Sequence, residues 1–233
     1  MQVVILAGGL GTRLRPITER IPKPLVPVNN RPYLEYQIEY LRRSGFTDIL
    51  LVTGYLGEKI EAHFGNGTTF GVRLTYAQED VIRGTGGALK YAEDHLADEF
   101  LVVYGDSFLP ISYSGLIEAF LNSRKKGMIV AYDNRKSTDV KNNVALDDHF
   151  LVIRYDKTVS DKRLRYVESG VLVLKKSIIG LIPAEKVVSL EIDIFPQLIV
   201  EKQLAAFVTK ERFYDIGTPL RLQEAGEYFK VWQ

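Results

Sequence analysis

The sequence has no cysteine, which excludes disulfides, thiolate-ligated zinc and a cysteine nucleophile. Histidine is scarce: His63, His95 and His149 are the only three, and none stands in a motif for metal ligation or general-base work. An excess of one charge is missing too. Thirty Lys and Arg face 29 Asp and Glu, so no global field favours nucleic acid, and a bound polyanion must be held by local groups. The densest basic run, Arg124-Lys125-Lys126, falls at the end of a helical pattern, where cations oppose the helix dipole. No apolar run is long enough to cross a bilayer, and no charged-then-apolar leader opens the chain. The expectation is a cytoplasmic protein with neither a membrane nor a nucleic-acid partner.

What is present is the texture of a globular α/β domain. The 233 residues are 46% hydrophobic and 25% charged, enough for one large core. Apolar runs alternate with amphipathic segments. Strands are expected at 3–7, 48–53, 72–76, 100–104 and 128–132, and helices at 33–43, 57–64, 85–94 and 116–125. This rhythm predicts a mostly parallel sheet with helices on both faces. From about residue 143 the strands crowd together, at 144–146, 151–155 and 167–174. A helix near 190–202, strands at 205–208 and 213–214, and a final helix from Pro219 complete the chain. No linker, repeat or low-complexity segment divides it. Thirteen tyrosines and eleven phenylalanines suit a core or a homo-oligomer interface equally well.

The first strand runs into Leu6-Ala7-Gly8-Gly9-Leu10-Gly11-Thr12-Arg13-Leu14. Three glycines in four positions let the backbone approach a phosphate chain and aim N–H groups at it. A Walker loop would need Gly-Lys-Ser/Thr where Gly11-Thr12-Arg13 stands. A dinucleotide fingerprint would need Gly or Ala at Leu14 and an acid after the second strand, where Thr53 and Gly54 stand. That argues against an NAD-dependent oxidoreductase. Ten positions after Arg13, Lys23 sits between Pro22 and Pro24 on a stiff, extended segment that can aim it at a phosphate. Taken singly, Arg13 and Lys23 read more readily as surface charges than as ligand contacts.

Together, Gly-Gly-x-Gly-Thr-Arg-Leu and Pro-Lys-Pro resemble the signature of the sugar-1-phosphate nucleotidyltransferases, the NDP-sugar pyrophosphorylases, from Met1 to about Tyr228. The resemblance implies a Rossmann-like nucleotidyltransferase fold with a mixed, mostly parallel central sheet flanked by helices. It implies one domain over 1–233, with nucleotide held by about 1–140 and sugar phosphate by about 141–233. No C-terminal β-helix is expected. The implied reaction makes NDP-sugar and pyrophosphate from an NTP and a sugar 1-phosphate.

Within that resemblance, Arg13, Lys23 and Asp106 are the expected catalytic residues. Asp106 ends the apolar strand Phe100-Leu-Val-Val-Tyr-Gly-Asp, and Asp215 lies in Tyr214-Asp-Ile-Gly-Thr-Pro; the two match the Mg²⁺-binding acids. Nucleotide contacts fall on Leu6, Ala7, Gly8, Gly9, Gly11, Thr12, Arg13, Lys23, Gln78, Gly84, Thr85 and Asp106. Residues 78–88 match the base-recognition loop, although Ile82-Arg83 replaces the usual Pro-Leu. Sugar-phosphate contacts fall on Gly105, Lys157, Glu168, Ser169, Gly170 and Glu191, with Lys157 gripping the acceptor phosphate.

Short length and the Tyr-Asp-Ile-Gly-Thr-Pro ending look most like D-glycero-D-manno-heptose 1-phosphate guanylyltransferases, which makes GTP the favoured donor. UTP- or dTTP-dependent relatives are the alternative. A non-catalytic subunit that binds nucleotide or sugar phosphate is an alternative of another class.

Overall fold

A computed structural model describes residues 1–134 and 140–232. The chain runs β1 (Gln2–Leu6), β2 (Pro27–Val28), β3 (Arg31–Pro32), α1 (Tyr33–Arg43), β4 (Asp48–Thr53), α2 (Gly57–Phe64), β5 (Arg73–Gln78), α3 (Gly84–Tyr91) and β6 (Glu99–Tyr104). It continues through β7 (Ser107–Phe108), α4 (Tyr113–Ser123), β8 (Gly127–Asp133), β9 (Val144–Leu146), β10 (Val152–Tyr155) and β11 (Tyr166–Lys175). A π-helical turn (Leu190–Ile194) leads into α5 (Phe195–Val200), then β12 (Leu204–Thr209), β13 (Tyr214–Asp215) and α6 (Pro219–Val231).

Among the described residues, nine strands make one sheet. β5, β4, β1 and β6 are parallel neighbours in that order. β11 then pairs antiparallel with β6 on one side and β8 on the other, and β12 lies parallel to β8. β9 and β10 form a flap against the start of β11. This is the mixed, mostly parallel sheet flanked by helices that the β-α-β rhythm predicts. The helix expected at 190–202 is split, with the π turn preceding a short α-helix that starts around Pro196.

Strand periodicity explains the layering. Val3 and Ile5 of β1 face one side, in a cluster with Leu34, Ile38, Phe64, Leu116 and Phe120 of α1, α2 and α4. Val4 faces the other side with Leu89, Ile194, Phe195 and Leu198. Both faces of the central strands are therefore covered, which is why those strands read as continuous apolar runs rather than alternating ones. A third cluster, with Leu14, Val26, Tyr33, Tyr36, Phe108, Ile216 and Phe229, seats α6 against the segment after the glycine loop. Tyr36 stacks on Phe229 at 4.0 Å between centroids. That packing holds β13 antiparallel to β7, with Asp215 opposite Ser107.

Candidate active site

β1 and β6 are parallel neighbours, so the loops that follow them emerge at the same end of the sheet. The loop after β1 and the Gly105-Asp106 turn after β6 are tied where they leave it: Gly105 N–H donates to the Leu6 carbonyl at 2.9 Å, and Ala7 N–H to the Val52 carbonyl at 2.8 Å. Between them opens a cavity of about 350 Å³. Leu6, Ala7, Gly8, Gly9, Gly11, Thr12, Arg13, Lys23, Gly84, Thr85, Gly105 and Asp106 all line it. The structure thus brings together the glycine loop, the Pro-Lys-Pro lysine and the first aspartate.

Charge in the cavity is arranged in pairs. Lys23 Nζ donates directly to Asp106 Oδ2. A Cβ added to Gly217 would lie 3.0 Å from Arg13 Nη2, which puts the guanidinium beside the Asp-x-Gly-Thr turn. Asp215 opens onto a smaller neighbouring pocket, although Gly217 lines the cavity itself. Asp215 Oδ1 accepts the Gly217 N–H at 2.7 Å, and Oδ2 lies 3.2 Å from Arg221 Nη1. Burial raises the Asp215 carboxyl above its ordinary range, Arg221 pulls it back, and Asp106 pushes it up. The Ile216 N–H, bonded to the Asp106 carbonyl at 3.1 Å, and the pairing of Asp215 with Ser107 bring the two acids onto neighbouring turns.

Among the described residues, no group of three or more His, Cys, Asp or Glu could hold a metal ion. Two adjacent carboxylates are nevertheless what Mg²⁺ commonly takes from a protein when substrate phosphates and water supply the remaining oxygens. The donor set fits that ion.

Gln78 is not delivered to this cavity. It ends β5 opposite Thr53, and its exposed side chain borders a neighbouring pocket instead. The next residue, Glu79, lines the cavity instead, because neighbouring residues of an extended chain point to opposite faces. Glu79 is only 7% exposed, and its Oε1 has no hydrogen-bond partner. Burial pushes its carboxyl up to about 7. Nothing in the sequence separates it from Gln78, since both are polar residues at the end of one strand.

The second group of expected residues adjoins the cavity across Tyr104 and Thr85. Glu191, at 6% exposure, sits at its centre. Its Oε2 accepts from Thr85 Oγ and Ser189 Oγ, each at 2.7 Å. Its Oε1 accepts from Tyr104 OH at 3.0 Å and Lys157 Nζ at 3.2 Å. Burial disfavours its charge, but Lys157, Thr85 and Ser189 hold the carboxyl below its ordinary value. Glu168 stands nearby on β11, and burial, then the neighbouring Glu191 charge, raises it to about 7. Its Oε1 accepts the Gly170 N–H at 2.6 Å.

The β11–β8 register shifts between Glu168 and Leu172. Gly170 lies in that irregularity at φ +79°, where a Cβ would be 2.8 Å from Ser107 Oγ. Only glycine lets β11 pass so close to the Asp106 turn. Ser169 is a correction. Its side chain is 1% exposed and donates to the Val130 carbonyl at 3.0 Å, so it faces the neighbouring strand and not the cleft.

Comparison with known proteins agrees with this arrangement. The family model described as nucleotidyl transferase matches residues 2–230. A D-glycero-α-D-manno-heptose 1-phosphate guanylyltransferase of Campylobacter jejuni is 32% identical over 94% of this chain and 96% of its own. A protein of the same name from Aneurinibacillus thermoaerophilus is 30% identical over 94% of each. The crystal structure of HddC from Yersinia pseudotuberculosis complexed with GMP-PN superposes with a TM-score of 0.82 at 32% identity, covering 98% of this chain and 99% of that one. The sheet, the cavity and the spacing of its loops have the same origin: the chain belongs to the nucleotidyl transferase family and is a nucleotidyltransferase.

Proposed function

We propose that this enzyme transfers a guanylyl group from GTP to a sugar 1-phosphate, with D-glycero-α-D-manno-heptose 1-phosphate the favoured acceptor, giving GDP-sugar and pyrophosphate. Glu79 carries the choice of base. Guanine presents two adjacent donors, N1–H and N2–H, on one edge, and a carboxylate accepts both. Uracil and thymine present one N–H between two carbonyl oxygens, which would face the carboxylate's lone pairs. Glu79 Oε1 is buried at the cavity without a partner, which suits a ligand that brings donors. The guanylyltransferase names of two relatives, and the GMP-PN bound to a third, support the same base.

In this reading an oxygen of the sugar phosphate attacks the α-phosphorus in line and pyrophosphate leaves. Sugar phosphates are ionised at neutral pH, so no general base is required, in keeping with three histidines outside any motif. The problem is repulsion between two polyanions. The backbone of Gly8, Gly9 and Gly11 would cradle the triphosphate, while Arg13 and Lys23 offset charge on the α- and leaving phosphates. Asp106 and Asp215 would hold Mg²⁺, which neutralises phosphate charge and fixes the in-line geometry. Lys157 would grip the acceptor phosphate, and Glu168 accept from sugar hydroxyls. Residues up to about 140 thus serve the nucleotide and later ones the sugar phosphate. With no long apolar helix among the described residues, the cytoplasm is the proposed location.

Pyrophosphate release with Mg²⁺, across GTP, UTP, dTTP, CTP and ATP against heptose, mannose, glucose, N-acetylglucosamine and N-acetylmuramate 1-phosphates, tests the proposal. The GTP–heptose pair should turn over fastest. A UTP or dTTP optimum overturns the base assignment, and binding without turnover on every pair favours a regulatory subunit.

A further inference from the structure

Glu191 has no bonding capacity left for a sugar. A carboxylate offers about four acceptor sites, and Thr85, Ser189, Tyr104 and Lys157 each donate to one of its two oxygens. Three of those donors are neutral and fixed by their elements: Thr85 lies in the first turn of α3, Ser189 caps the π turn, and Tyr104 ends β6. The fourth, Lys157, is half exposed and lies on the loop after β10. Its other described neighbours are the Tyr155 ring, 5.5 Å from Nζ to centroid, and the Glu168 carboxyl, whose charged form Lys157 favours.

Thr85 also stitches the two halves of the cleft. Its Oγ accepts the Leu190 N–H at 2.8 Å while donating to Glu191, and the Gly86 and Gly87 N–H groups both donate to the Val188 carbonyl, at 2.9 and 3.1 Å. The segment carrying Glu191 is thereby fastened to the loop that lines the nucleotide cavity.

We propose that Glu191 is a positioning residue and not a sugar contact: anchored by Thr85, it holds the Lys157 ammonium at the acceptor site, so that the nucleotide-side loop fixes the place of the acceptor phosphate. This rests on the reading of Lys157 as the acceptor-phosphate residue. A sugar hydroxyl could enter only by expelling one of four donors from a buried carboxylate. A neutral side chain at 191 would take away the one carboxylate that Lys157 is hydrogen-bonded to among the described residues, leaving it the longer-range pull of Glu168.

Two measurements on the whole chain test it. The first needs no substrate: brief acetic anhydride labelling, with the extent at Lys157 read by peptide mass spectrometry. An amine held against a carboxylate is shielded, so Lys157 should label severalfold faster in Glu191→Gln and in the milder Thr85→Val. Thr85→Ser keeps the hydroxyl and should restore the slow rate. Unchanged labelling in Thr85→Val, with the variant folded by circular dichroism, overturns the proposal.

The second is steady-state pyrophosphate release with GTP and D-glycero-α-D-manno-heptose 1-phosphate. Glu191→Gln should raise the acceptor KM roughly 10-fold, the scale of one charge-assisted contact, and should have no further effect in a Lys157→Met background. Additive losses in the double variant, or a loss that vanishes with a deoxy acceptor, would make Glu191 a sugar contact and overturn the proposal. A wild type inactive with every donor–acceptor pair refutes the proposed reaction instead, and leaves the labelling result to decide the role of Glu191.

Discussion

Replacing Glu79 with Gln changes one charge and almost no volume, and its consequences can be worked from the site. In the empty enzyme burial moves this carboxyl from an ordinary 4.5 to about 7. The folded state therefore binds the proton more readily than the unfolded chain does. The cost of holding the charge is absent below pH 4.5, grows as pH rises to 7, and is fully present above that. A shift of that size corresponds to an upper bound on the order of 3 kcal/mol. Glu79→Gln should accordingly be more stable than wild type at pH 8, by about 1–3 kcal/mol, with the difference fading by pH 4.5. A melting series against pH reads it.

The same substitution should move base choice. Gln offers guanine one acceptor and turns an NH₂ toward the second donor, costing about 2–4 kcal/mol of transition-state binding, or roughly 30- to 1,000-fold in kcat/KM for GTP. The uracil edge, one N–H beside a carbonyl, matches an amide better, so the UTP-to-GTP ratio should rise further. In the wild type, kcat/KM for GTP should also fall below about pH 7, as Glu79 of the free enzyme takes up its proton, and the Gln variant should lack that limb. A GTP-to-UTP ratio that does not move on Glu79→Gln would refute the base assignment, whatever the stability result.

Asp106→Asn and Asp215→Asn should each lower turnover by about 10³-fold or more while the fold persists, checked by pyrophosphate release beside circular dichroism; near-wild-type turnover in either would remove that residue from the metal site. Ser169→Ala should cost about 1 kcal/mol of stability through the lost bond to Val130 and leave the acceptor KM unchanged, so a raised KM would return Ser169 to the sugar contacts. Gly105→Ala would put a Cβ 2.8 Å from the Leu6 carbonyl, a backbone atom that cannot swing aside. It should destabilise the chain by about 1–3 kcal/mol and impair GTP binding, both readable by thermal shift with and without nucleotide.

The sequence by itself determined the elements whose signal is local. Helix α1 spans the residues its 3.6-residue apolar spacing marks, and β4 the run of apolar residues buried on both faces. The glycine loop was legible for the same reason, because backbone freedom is a property of a few consecutive residues; the segment expected to run extended through Pro22-Lys23-Pro24 instead closes into a 3₁₀ turn over Lys23–Leu25. Asp106 followed from its place at the end of an apolar strand.

Tertiary structure decided the rest, because one-residue differences of facing and contacts across long stretches of chain leave no periodic trace. Gln78 and Glu79 are equally polar neighbours, yet the end of β5 turns only Glu79 into the cavity. Ser169 and Glu168 divide the same way at the irregularity in β11, one bonded to Val130 and the other facing Glu191 and Lys157. The four donors on Glu191 come from positions 85, 104, 157 and 189. Arg221 reaches Asp215 only because aromatic packing lays α6 against β13. Local spacing could nominate these residues, but the sheet order and the packing of α6 assigned their partners.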